Sequence, residues 1–198
     1  VADLGFDLAV AQAMADELEI YLQRDVLYWQ MDAHGPMSSR FPKMTLGGLL
    51  LRRHRLAALR ERLSPEQRTA LDALHRRVEA IIGHWPSVYG AKVRREIEAR
   101  LNAWARYVED CLESRAACAD EYPSQAEGRT MLALLLDEAA KYSHADLAPV
   151  QNRLAALDSQ FKGLSGPGPF IWNPILAPAY PPDRFWWLYR EIRRQALP

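Results

Sequence analysis

The chain has 198 residues, 49% apolar and 25% charged, with 25 basic and 25 acidic side chains and no formal net charge. That balance fits a packed chain rather than a disordered one, and it supplies no global attraction to nucleic acid or acidic membrane. No apolar run reaches the ~18 residues of a membrane-spanning helix, and the N-terminus carries neither the basic nor the apolar region of a signal peptide.

A first helix is expected from about Phe6 to Met31, with Leu8, Ala11, Ala15, Leu18, Leu22, Val26 and Trp29 on one face and Asp3 or Asp7 as cap. A loop follows from Asp32 to Lys43, marked by Gly35-Pro36, Ser38-Ser39 and Pro42. The second helix runs from near Thr45 to Leu63. Gly47-Gly48 at its start invite a close approach by another segment. The third has the clearest start: Ser64-Pro65-Glu66-Gln67 combines an N-cap Ser, Pro at the first helical position and Gln at N3.

A long central helix is expected over about 87–121, opened by Pro86 and broken at Tyr122-Pro123. Val93, Ile97, Leu101, Trp104, Val108 and Cys111 form its stripe. Ser124 and Glu127 then suggest a second capping box, and Met131–Leu136 is apolar nearly all round, as in a helix central to a bundle. A sixth helix begins near Asp146, with Val150, Leu154, Leu157, Phe161 and Leu164 at helical spacing and Gly163 as its stop. Beyond it, residues 163–182 hold three Gly and six Pro among large apolar groups, and Asp183 could cap a short last helix from Arg184 to Leu197. No internal repeat and no strand-like alternation is present.

The fold class is therefore all-α: an antiparallel bundle of five to six helices around the long central one, with a Pro/aromatic-rich C-terminal strap. Residues 1–163 read as the bundle and 164–198 as the strap and short helix packed on the same domain. Phe170, Trp172, Tyr180, Phe185, Trp186, Trp187 and Tyr189 carry enough apolar surface to hold such a segment on the bundle.

Cys111 and Cys118 lie seven apart on the expected central helix, ~10.5 Å along its axis. That is too far for a disulfide, so two reduced thiols and a cytoplasmic location are expected. The 21 Arg against 4 Lys match a GC-rich, bacterial genome.

None of the histidines (His34, His54, His75, His84 and His144) forms a His-x-x-x-His pair. Asp72, His75 and Glu79 share neighbouring helical turns, but a helical metal site needs inward-facing ligands from several helices, so no metal is assigned. Arg68 to His75 and Arg77 to His84 have the spacing of the catalytic pair in some helical ribonucleases, a match that 21 Arg and five His produce by chance. Phosphate-loop and Gly-x-Ser-x-Gly motifs are absent, and no cofactor is called for.

Residues 52–77 carry eight Arg and three acids, whereas residues 1–32 carry seven acids and one Arg, and 109–138 eight acids and two Arg. Arg52, Arg53 and Arg55 either pair with those acids or contact phosphates. Three functions follow. The first is a non-enzymatic interaction or regulatory module, with a protein partner or a homodimer. It would use Trp172, Tyr180, Trp186, Trp187, Arg52, Arg53 and Arg55 as its surface. The second is a ligand-binding or enzymatic bundle with a pocket between the first, third and fourth helices and the strap. The third is nucleic-acid binding through the Arg cluster. A pocket lined by inward-facing acids, His or Arg favours the second. The sequence leaves open whether the protein is an enzyme.

Overall fold

Asp3 starts the first helix: its carboxylate accepts from the Gly5 and Phe6 amides at 2.9 and 3.2 Å, and α1 runs Leu4–Gln23. The structure, a computed structural model, describes residues 3–32, 38–142 and 146–192. Gly35-Pro36, His34, His144 and residues 193–197 of the expected last helix lie outside them.

The chain continues through α2 (Leu46–Ala58), α3 (Pro65–His84), α4 (Pro86–Glu113), α5 (Arg115–Tyr142) and α6 (Ala148–Leu164). Two three-residue strands, β1 (Ser165–Pro167) and β2 (Arg190–Ile192), then pair antiparallel across the intervening C-terminal segment. The all-α bundle is present as expected. Its most extensive contact is α4 against α5, with α2 on α5, α3 and α2 on α1, and α6 on α4.

α1 stops at Gln23, short of the expected Met31, and the reason is tertiary. The Lys92 ammonium, from α4, donates to the Tyr21 carbonyl and, at 2.8 Å, to that of Arg24, so it satisfies the helix end. Trp29 leaves the helical path and pairs backbone to backbone with Met44. α3 begins as read: the Gln67 amide donates to Ser64 Oγ at 3.2 Å and the Ser64 amide to Gln67 Oε1 at 3.0 Å.

The central helix does not run to residue 121. α4 ends at Glu113, Ser114 is extended, and α5 starts at Arg115 and folds back along α4. This brings Cys111 and Cys118 to a Cα separation of 5.0 Å, where they form a disulfide. The expected free thiols are thereby corrected: the ~10.5 Å spacing assumed a continuous helix. Pro123 lies inside α5 rather than ending a helix. Neighbouring Tyr122 is buried, and its hydroxyl donates to the Trp187 carbonyl, so packing holds the helix through the proline.

The C-terminal segment lies across the bundle. Leu176, Tyr180, Phe185, Trp187 and Leu188 are buried in the common core, and Trp187 Nε1 donates to Thr130 Oγ1 of α5 at 2.9 Å. Where a short α-helix was expected from Arg184, the chain makes a 3-10 turn at Trp186–Tyr189 and then β2. Gly168 sits where β2 passes: an added Cβ would meet the Glu191 nitrogen at 3.0 Å.

Candidate functional site

Three helical faces meet beside the C-terminal segment and leave a cleft of about 280 Å³. α2 contributes Leu50, Arg53, His54 and Ala57, and α5 contributes Leu134, Asp137, Glu138 and Lys141. Both sets are spaced i, i+3, i+4, i+7, the repeat that aligns one face of a helix. α3 adds His75 and Glu79, one turn apart, and Arg184 closes the rim from the C-terminal segment.

The charged groups are paired, one pair between α2 and α3, one within α5 and one between α5 and the C-terminal segment. Arg53 donates to Glu79 at 2.6 Å and Lys141 to Glu138 at 2.9 Å, and Arg184 pairs with Asp137. Glu138 is buried and also accepts from the Tyr89 hydroxyl at 2.8 Å; burial and this carboxylate push the phenol far up. For Glu79, partial burial works to raise the pKa, but the Arg53 hydrogen bond and charge hold it below the usual carboxylate value. The Lys141 ammonium is raised by its hydrogen bond to Glu138.

The two histidines are set differently. His54 Nε2 lies 2.7 Å from the Ala179 carbonyl, which only accepts, so the proton sits on Nε2 and Nδ1 carries the lone pair. Its ring packs against Tyr180 and Phe185 at 5.3 and 5.5 Å. Burial lowers its pKa, with the carbonyl hydrogen bond opposing. Burial and the Arg53 charge lower that of His75 against Asp72 and Glu79. Both rings are thus neutral near pH 7, and His54 is a proton acceptor fixed in one tautomer.

A second polar network lies under the C-terminal segment. Asp7 sits 3.7 Å from Arg52 and 3.6 Å from Arg55. Arg55 also donates to the Tyr180 hydroxyl at 2.9 Å and lies over the Trp172 ring. Burial lowers the Arg52 pKa; Arg55 resists the same burial because Tyr180 and Asp7 favour its charge. A third group is structural. Glu96, buried at the start of α2, accepts from the Gly47 amide at 3.1 Å through both oxygens and from Arg100 at 2.7 Å.

Of the interaction surface expected from the sequence only Arg53 lines the cleft, and of the residues weighed there as metal or catalytic candidates His54, His75 and Glu79 do. Arg52, Arg55, Tyr180 and Trp187 are buried, at 8, 9, 0 and 2% exposure, while Trp172 and Trp186 are half-buried. The Arg–His spacings do not become pairs. Arg68 donates to the Arg60 and Glu61 carbonyls, Arg77 pairs with Asp16, and His84 rests edge-on to Trp85. Asp72 is held by Arg60 at 2.7 Å. Sequence reasoning gave His54 no role and missed Asp137, Glu138, Lys141 and Arg184; the available signal was the polar face shared by α2 and α5 at helical spacing. Among the described residues, no group of three or more His, Cys, Asp or Glu is placed to hold a metal ion, and no helix is long and apolar enough to cross a membrane. Compared with known proteins, the chain matches no family model, no curated protein and no solved structure.

Proposed function

We propose that the protein binds a small polar ligand in the cleft between α2, α3, α5 and the C-terminal segment. One observation carries this reading: two histidines and three cation–carboxylate pairs, drawn from four separate segments, line a single hollow of about 280 Å³. Convergent polar groups over an apolar floor, here Leu50 and Leu134, are the usual composition of a ligand site. His54 supplies a proton acceptor of fixed orientation, which suits recognition of a donor group and also general-base chemistry. The test is a thermal-shift screen of small polar metabolites against the wild type and Ala57→Phe. Ala57 is exposed at the cleft wall, so the added ring fills the hollow without entering the core. Ligands that stabilise the wild type and not the variant support the reading; no such ligand in a broad set overturns it.

A protein-interaction module is the second reading. It draws support from the apolar residues Ile20 and Tyr28, 51 and 57% exposed around the end of α1. Nucleic-acid binding has less support. Arg52, Arg53, Arg55, Arg60, Arg68 and Arg77 are each engaged by a carboxylate, so phosphate contacts would have to displace those partners. For the compartment, the Cys111–Cys118 bond removes the free thiols that argued for the cytoplasm, and we read an oxidising compartment instead.

A further inference from the structure

We infer that a second site, at the start of α1, takes a small organic anion: a carboxylate or phosphate joined to an apolar body. Asp3, Leu4, Gly5 and Phe6 of α1 line a hollow of about 700 Å³ together with Arg40, Arg62 and Ile175. That volume is within the range of small-molecule sites. None of these residues lines the cleft, so the inference stands apart from the ligand-binding reading above. Leu4, Phe6 and Ile175 are half-buried and leave an apolar wall partly open to an occupant.

Two cations without counter-ions set the sign of the ligand. The Arg40 guanidinium lies over the Phe6 ring, 5.4 Å from its centre, and Arg62 Nη1 donates to the Ile175 carbonyl at 3.4 Å. Each contact holds the charged head group against a residue of the wall. Both side chains are exposed, and neither is paired with a carboxylate among the described residues. Other exposed arginines on this surface do take one: Arg77 pairs with Asp16, Arg95 with Asp25 and Arg184 with Asp137. The carboxylate in the lining, Asp3, is committed through Oδ1 to the Gly5 and Phe6 amides, where it offsets the positive end of α1. The helix start is therefore not the partner of the anion; the two guanidiniums are. Their planar forks match a carboxylate or phosphate, and the apolar body lies against Leu4, Phe6 and Ile175.

The test is calorimetric titration of the full chain with phenyl phosphate and benzoate, and separately with benzyl alcohol, benzylamine and inorganic phosphate. At least one of the two aryl anions should bind with a Kd of about 1 mM or below, and the tighter one identifies the head group. The other three compounds should each be weaker by about fivefold or more, the factor carried by an interaction of about 1 kcal/mol. Arg40→Gln and Arg62→Gln change exposed side chains that hold no ion pair. Each should weaken binding by about fivefold with the melting temperature unchanged, and Ala57→Phe in the cleft should leave binding unaltered. Benzyl alcohol or inorganic phosphate binding as tightly as the aryl anions overturns the inference. So does binding that neither arginine variant weakens, or no binding of either aryl anion. Binding lost in Ala57→Phe overturns it too, because the anion then sits in the cleft and the earlier reading stands.

Discussion

His54 Nε2 donates to the Ala179 carbonyl at 2.7 Å, so α2 and the C-terminal segment are joined at the cleft wall by residues 125 apart in sequence. The bond fixes the imidazole tautomer and ties the shape of the cleft to the seating of the C-terminal segment. Tyr180, the next residue, packs at a tilt beside the same ring and receives the Arg55 hydrogen bond.

The histidines set the pH dependence of stability. A histidine whose folded pKa is lowered leaves the unfolded chain with more bound protons, so stability falls as pH drops through about 6.5. His54 and His75 both shift this way. Glu79, whose pKa is depressed, contributes stability that is present above about 4.5 and lost at lower pH, outside the histidine window. Urea melts between about pH 7.5 and 5.5 should show a loss that the His54→Gln/His75→Gln double variant reduces.

The disulfide closes a short loop around the turn between α4 and α5. Thiol titration under denaturing, non-reducing conditions should find no free thiol. Reduction should lower unfolding free energy by about 2–3 kcal/mol, the loop-entropy value for a loop of this size. Helix content should persist, because α4 and α5 are packed along their length. Circular dichroism with and without reductant checks this.

Lys92 is buried with its ammonium on the last carbonyls of α1. Lys92→Met keeps most of the volume and leaves those carbonyls without their charged donor. It should cost about 1–3 kcal/mol, read in denaturant melts, with faster amide exchange at the end of α1.

Adjacent tryptophans separate seating from surface in the C-terminal segment. Trp187 is buried, donates to Thr130 and receives the Arg129 guanidinium at 3.9 Å; Trp186 is half-buried beside Lys162. Trp187→Ala should cost about 3–5 kcal/mol and expose dye-binding apolar surface. Trp186→Ala should cost about 1 kcal/mol. Equal effects would mean that the segment is not held through Trp187.

Features decided by neighbouring residues were legible in the sequence. Ser64, Pro65 and Gln67 start α3 by bonds within one turn, and the apolar stripe from Val93 to Cys111 is the buried face of α4. Features decided by distant residues were not. Lys92 ends α1 from another helix, and Ser114, which is no helix breaker, becomes a turn because α5 packs back on α4. The site follows the same division. The polar faces of α2 and α5 are written at helical spacing, but their meeting over His75 beside Arg184 belongs to the tertiary structure.

The most direct measurement is a long-range ¹H–¹⁵N spectrum of the histidine rings near neutral pH, with and without a ligand from the screen. His54 should be neutral, its proton on Nε2 and Nδ1 a free acceptor, and the Nδ1 resonance should move when the ligand binds while His84 stays fixed. A protonated His54, a proton on Nδ1, or a bound ligand that leaves the His54 resonances unmoved would contradict the account.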